Sequence, residues 1–229
     1  FDTPNHIKDV AKKALAKGFV HYTSNFGIPK LLELISTKLD AVNHIRYNPK
    51  GEIIVTVWAN EAVFLVMMGL LNPGDEVLIP DPIWLHYYYC AELASARAVP
   101  VPLYEKNNFE MSPADIEERI TENTKMIVLN SPHNPTGSVI GEEKIREIAR
   151  IAVKHDLIIV SDEIYENINF DEAKRFSIAS IPEARERTVT INGFSKAYSM
   201  TGWRLGYVAA PQNIISVLNR VHQYTTVCA

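Results

Sequence analysis

One lysine in the chain sits in a setting that a solvated surface charge does not need. In "GFSKAYSMTGWRLG", residues 193–206, Lys196 is flanked by small residues and Arg204 follows eight positions later. A lysine whose pKa is lowered attacks a carbonyl carbon and forms a Schiff base. An arginine presents a planar fork of N–H donors that fits phosphate oxygens. Two readings are open at this point: a charged loop, or an amine held at a covalent site beside a cation aimed at an anion.

Other polar residues recur just after apolar runs. Asn134 lies in "SPHNPTG" (131–137), which follows "KMIVLN" and reads equally as a simple proline turn or as an amide aimed at an anionic oxygen. Asp162 lies in "SDEIYENINF" (161–170), directly after an apolar run, where an unpaired carboxylate is costly. A helix N-terminus or a neighbouring lysine could satisfy it, and so could a cation brought by a ligand. Tyr165 adds a phenol three residues on. "ANEAV" (59–63) opens a helical stretch after "EIIVTV", so the backbone N–H groups at Ala59 and Asn60 are free to meet an anion. Trp84 follows "EVLIP" and suits either a core position or an aromatic plate. Taken together, these groups match the needs of pyridoxal phosphate. Its aldehyde condenses with lysine, and its pyridine nitrogen must stay protonated beside a carboxylate to draw electrons. Its ring needs a stacking face and donors, and its phosphate needs cations and N–H groups.

The elements that must position these residues alternate. Strands are predicted at 52–57, 76–80, 97–102, 125–130, 157–161, 188–192 and 204–210, with helices at about 60–71, 84–94, 112–121, 141–155 and 211–224. Several strands are apolar on both faces, which predicts a mostly parallel sheet covered by helices on both sides. Two helices precede them. The first has Thr3 as N-cap, Pro4 at its first position and Gly18 as its stop, with Ile7, Val10, Ala11, Ala14 and Leu15 on one face. The second spans about Pro29 to His44, with Leu32, Ile35, Leu39 and Val42 on one face. No repeat or linker divides the chain, so residues 1–229 are predicted to form one α/β domain. In open α/β sheets, ligands bind beyond the carboxyl ends of the strands, where these polar residues fall.

Composition narrows the function classes. The 229 residues carry a net charge of −4 without a basic cluster, which argues against a nucleic-acid surface. The longest apolar run, "AVFLVMMGLL" at 62–71, is too short to span a bilayer. Cys90 and Cys228 lie far apart and give no disulfide framework, so a reducing, cytoplasmic setting is expected. The histidines show no metal-ligand spacing, and no Ser-His-Asp arrangement can be argued. The chain starts at Phe1 and its last stretch, "NIISVLNRVHQYTTVCA", reads as a helix without a stop signal, which together predict a fragment.

The stretches "HYTSNFGIPKL", "NPGDEVLIPDP", "NSPHNPTG", "SDEIYENINF" and "NGFSKAYSMTGWRLGYVAAP" occur in one order over nearly the whole chain. In them the chain resembles the class I/II aminotransferases of pyridoxal-phosphate fold type I, most closely the aspartate/aromatic aminotransferase-like subgroup. That resemblance implies a three-layer α/β/α large domain and transfer of an amino group between an amino acid and a 2-oxo acid. It implies that Lys196 binds the cofactor and shuttles the α-proton, and that Asp162 pairs with the pyridinium nitrogen. Asn134 and Tyr165 would hold the ring hydroxyl and Trp84 would stack on the ring. Ser195, Arg204, Ala59 and Asn60 would surround the phosphate, and Tyr22 would reach the partner's phosphate across a homodimer interface. It further implies that a C-terminal small domain, carrying the arginine for the substrate carboxylate, lies outside this chain.

One residue departs from the family pattern. In "VTVWANEA", Trp58 stands where relatives carry glycine or another small residue, so a tight turn there would carry a large side chain into the phosphate cradle. Two other functions fit the same scaffold: β-elimination or cyclisation by a C–S lyase or synthase, and pyridoxal phosphate binding by a regulatory domain without turnover. The "HNPTG" and "SDEIYE" stretches favour transfer over elimination. An attached DNA-binding module in the full-length protein would favour regulation.

Overall fold

A strand that is apolar on both faces needs cover on both sides. The computed structural model of the chain, which describes residues 1–170 and 175–229, shows how it is supplied. The strands are β1 (Ile53–Val57), β2 (Glu76–Asp81), β3 (Arg97–Pro102), β4 (Thr124–Asn130), β5 (Ile158–Asp162), β6 (Thr188–Gly193) and β7 (Leu205–Ala209). Each lies within two residues of its predicted bounds. The helices are α1 (Asn5–Ala16), α2 (Pro29–Lys38), α3 (Trp58–Leu70), α4 (His86–Leu93), α5 (Pro113–Glu117), α6 (Glu142–Lys154), α7 (Pro182–Arg185) and α8 (Gln212–Thr225). α5 is shorter than predicted, and α8 ends at Thr225, four residues before Ala229.

The strands form one sheet in the order β1-β7-β6-β5-β4-β2-β3. Pairing is parallel from β3 through β6, whereas β7 runs antiparallel to both β6 and β1. On one face, Val77, Met126, Val128, Val160 and Ile191 pack against α3, α4 and α8 through Leu65, Val66, Cys90 and Leu218. On the other, Leu78, Ile127, Leu129 and Ile159 pack against α6 through Ile145, Ile148 and Ala152. α2 covers Ile53, Val55 and Tyr207 near the β1 edge. The result is a three-layer α/β/α domain. Strands β1, β2, β4, β5 and β6 end at one rim, and the reversed β7 begins there. The chain changes winding direction between β2 and β4, which opens a crevice at that rim.

The two leading helices correct the sequence reading. Thr3 does not cap α1: Pro4 is the N-cap residue and no side chain caps the helix. The Thr3 hydroxyl instead donates to Ser199 O (2.6 Å) and accepts from Trp203 Nε1 (3.0 Å), tying the chain start to the loop before β7. Gly18, with φ of 79°, ends the helix as predicted. The apolar stripe of α1 is amphipathic as read, but none of its residues is buried within the chain. The predicted second helix becomes α2 followed by one π-turn, Leu39–Asn43. The residue inserted by that turn rotates the end of the helix, so Asn43 is buried and Val42 is exposed. Asn43 Nδ2 donates to Glu163 Oε2 (3.0 Å) and Glu166 Oε2 (2.8 Å), satisfying two buried carboxylates that follow β5.

Candidate active site

A cavity of about 150 Å³ opens at the rim and is lined by Ala59, Asn60, Trp84, Asn134, Asp162, Tyr165 and Lys196, all singled out in the sequence. Each owes its place to a strand end. Asp162 closes β5 and is buried. Lys196 follows β6 in a turn whose backbone is fixed by Met200 N donating to Ser195 O at 3.0 Å. Its ammonium lies 5.4 Å from the Tyr165 ring centroid. Asn134 follows β4, its backbone N–H held by Asn130 Oδ1 at 2.8 Å, and its Nδ2 donates to Tyr165 Oη at 3.3 Å.

Asp162 has neither a lysine nor a helix terminus as its partner. Its Oδ2 accepts from the Tyr87 phenol at 2.5 Å and its Oδ1 from Ile164 N at 3.0 Å. Burial raises its pKa, and the two donors oppose that rise. A cation arriving in the cavity would favour the ionised form further. Burial, reinforced by the Asp162 charge, holds the Tyr87 hydroxyl well above its ordinary pKa, so the phenol keeps its proton and remains a donor. Tyr165 is raised for the same two reasons. Tyr87 was missed in the sequence because "HYYYC" offers three consecutive tyrosines, and only packing against β5 selects one. Asn130 and Ile164 also line the cavity without a signal in the sequence, and so does Trp58, the large side chain read as entering the phosphate cradle.

Trp84 is held as a plate. His86 stacks on it at 4.8 Å between centroids and Tyr87 meets it edge-on at 6.0 Å. His86 Nε2 also donates to Asn60 O at 3.0 Å, which joins the plate to the first turn of α3.

The remaining predicted groups lie beside the cavity or away from it. Ser195 is 1% exposed and its hydroxyl has no partner among the described residues. Arg204 stands at the start of β7 and lies on the Trp58 ring. Tyr22 is 88% exposed and does not line the cavity. The turn expected at Trp58 is present, with φ of 66°. The free N–H groups of the first turn of α3, the unpartnered Ser195 hydroxyl and Arg204 suit an anion, while Asp162 suits a cationic nitrogen. The donor set therefore fits pyridoxal phosphate. Among the described residues no cluster of His, Cys, Asp or Glu suits a metal ion, and no helix is long and apolar enough to cross a membrane.

His133, in the Asn134 loop, pairs through Nδ1 with Thr136 Oγ1 at 2.8 Å, and its Nε2 has no partner among the described residues. Burial pushes its pKa down to about 4, from 6.5. The unfolded chain therefore takes up this proton at a higher pH than the native one. The stability contributed by the neutral imidazole is complete above pH 6.5 and is lost as pH falls toward 4. Denaturation midpoints measured between pH 4 and 7 should fall more steeply for the parent protein than for His133→Asn. Parallel curves would show that the imidazole titrates normally.

The sequence profile of aminotransferase class I and II matches residues 1–229. The chain is 47% identical over 228 residues to an aspartate aminotransferase of Pyrococcus abyssi, covering 100% of this chain and 59% of that protein. It is 43% identical over 228 residues to aromatic-amino-acid aminotransferase 2 of Thermococcus litoralis, again covering 100% of this chain and 59% of that protein. The crystal structure of an aromatic aminotransferase from Pyrococcus horikoshii superposes with a TM-score of 0.98 at 45% identity, covering 100% of this chain and 61% of the other. The chain thus spans about three-fifths of the length of these relatives.

Proposed function

The chain belongs to the class I and II aminotransferase family, and from that premise we propose that it is the cofactor-binding large domain of a pyridoxal-phosphate-dependent aminotransferase. The reaction is transfer of an amino group between an aspartate-like or aromatic amino acid and a 2-oxo acid, consistent with the names of its relatives. The observation that carries this reading is a buried carboxylate, Asp162, in the same cavity as Lys196.

When bound, pyridoxal phosphate supplies an aldehyde that captures amines and a protonated ring that draws electrons from the substrate's α-carbon. The chain's residues have complementary tasks. Lys196 Nζ would hold the cofactor through its aldehyde and would move the proton at the substrate's α-carbon. Asp162 would hold a proton on the pyridine nitrogen, and the Tyr87 and Ile164 donors favour its ionised form against the opposing effect of burial. Asn134 and Tyr165 would hold the ring hydroxyl, and Trp84 would supply a stacking face. Ser195, Arg204 and the N–H groups of Ala59 and Asn60 receive the phosphate. Tyr22, exposed in one protomer, serves the neighbouring site in a homodimer. Residues 1–229 form the large domain, and the group that orients the substrate carboxylate belongs to a small domain beyond them. Both cysteines are free, in keeping with a reducing cytoplasm, and the proposed reaction gives the protein a place in amino-acid metabolism.

The test uses the whole protein loaded with pyridoxal phosphate, mixed with one amino acid at a time and without an acceptor. Aspartate or an aromatic amino acid should convert the visible absorbance band to that of the amine form and release one equivalent of 2-oxo acid. Repeated release of a side-chain leaving group, with ammonia and a 2-oxo acid in elimination or with a cyclic amino acid in cyclisation, would show the lyase or synthase chemistry instead. An unchanged band with all donors would mark a binding domain without turnover.

A further inference from the structure

Trp58 and Arg204 are the first residues beyond the last ladder pair of β1 and β7, Val57 opposite Leu205. The register therefore sets them side by side at the rim. Both have positive φ, 66° and 59°, a backbone region that bulky L-residues rarely take. At Trp58 the surroundings enforce it. Thr56 Oγ1 donates to Trp58 O at 2.9 Å, and Glu61 Oε2 accepts from Val57 N at 2.5 Å. Glu61 is itself held by His222 Nδ1 at 2.9 Å and Thr226 Oγ1 at 2.5 Å, both from the end of the chain. Opposite, Gly206 leaves room for the turn, since a Cβ there would lie 2.7 Å from the Trp58 carbonyl carbon. A non-glycine residue kept in such a conformation by several independent contacts is a mark of a functional site.

What the turn achieves is a stack. The Arg204 guanidinium carbon lies 3.7 Å from the Trp58 ring centroid, while the same indole lines the cavity and meets Trp84 at 5.8 Å. Arg204 Nη1 donates to Thr201 O at 2.6 Å, and among the described residues no carboxylate neutralises the charge. A half-buried cation without a carboxylate partner among the described residues is thus held over an aromatic face beside the pocket. A glycine at 58 would adopt the same backbone freely but would leave the long arginine side chain to find its position on binding.

We propose that Trp58 is a positioning residue for the cofactor's phosphate: it fixes the Arg204 guanidinium by cation–π stacking, so that the cation is in place before the anion arrives. This rests on the reading of the cavity as a pyridoxal phosphate site. The two ideas are separated by measuring, on the apoprotein of the whole enzyme, the affinities for pyridoxal phosphate and for pyridoxal, which lacks the phosphate. Trp58→Gly should weaken pyridoxal phosphate binding by about tenfold, the scale of a partly desolvated cation–π contact, and leave pyridoxal within about twofold. Trp58→Phe, which keeps a ring, should lose less. Thermal midpoints report folding independently of the ligand, and Trp58→Gly should not lower its midpoint much because glycine accepts the turn. Unchanged pyridoxal phosphate affinity in Trp58→Gly would overturn the proposal, as would equal losses for both ligands, which would make Trp58 a wall for the ring. A parent protein that binds the two ligands equally would overturn the phosphate site itself.

Discussion

Replacing Lys196 with alanine should abolish the borohydride-fixed attachment of pyridoxal phosphate and lower transamination by at least about a thousandfold, since a positioned general base alone is worth roughly 10² to 10⁴. Among the described residues, Lys196 is the one lysine lining the cavity that also holds Asp162. Lys38 is bound to Glu166 and Asn43 outside the cavity. After reduction and proteolysis of the parent protein, the label should be found on the peptide that contains "FSKAYSM". A label on any other lysine, or a Lys196→Ala protein that retains both the visible band and turnover, would remove Lys196 from the chemistry.

Asp162→Ala should be nearly as damaging to turnover while leaving the fold intact. The side chain is 2% exposed and its burial works against the charged form, so the native structure gains little from it until a cation shares the cavity. On the proposed role, the pyridine nitrogen without the carboxylate would lose its proton and with it most of its electron-withdrawing power. A rate loss on the order of a thousandfold corresponds to about 4 kcal/mol of transition-state stabilisation. Asp162→Asn provides the control, because it keeps an acceptor for the Tyr87 hydroxyl but no charge. Both variants should bind the cofactor, melt close to the parent and fail in the half-reaction. Near-normal turnover in either would mean that Asp162 is only a structural partner of Tyr87.

The strand positions were legible because each apolar run is short, β-branched and followed by polar residues. The site followed from that same punctuation: Asn134, Asp162 and Lys196 are each found within a few residues of a strand end. What was not legible depends on contacts between distant segments. Nothing local in "RLGYVAA" states that β7 runs against its neighbours, since ladder direction is a property of pairing. The π-turn at Leu39–Asn43 was invisible to a periodicity of 3.6, yet it decides that Asn43 rather than Val42 faces the Glu163 and Glu166 carboxylates. Thr3 had the residue type of a cap, but Ser199 and Trp203, nearly two hundred residues away, claim its hydroxyl. At Trp58 the family resemblance raised a tight turn that a large side chain would crowd, and the backbone there has a φ of 66°. The sequence could not indicate that the indole would meet Arg204, because that depends on the β1–β7 register.

The reversed direction of β7 also affects how the site could change over evolutionary time or by engineering. Lys196 and Arg204 sit on a single excursion between two adjacent antiparallel strands, zipped at its base by Gly193 opposite Gly206. The fit there is close, for a Cβ on Gly193 would lie 2.9 Å from the Gly206 Cα. Surface loops ordinarily absorb insertions at little cost. This one behaves instead as a cassette of fixed length: one added or deleted residue between its glycines would shift the amine relative to the guanidinium. The segment 193–206 is therefore suited to be transplanted whole between scaffolds of this architecture rather than altered piecemeal.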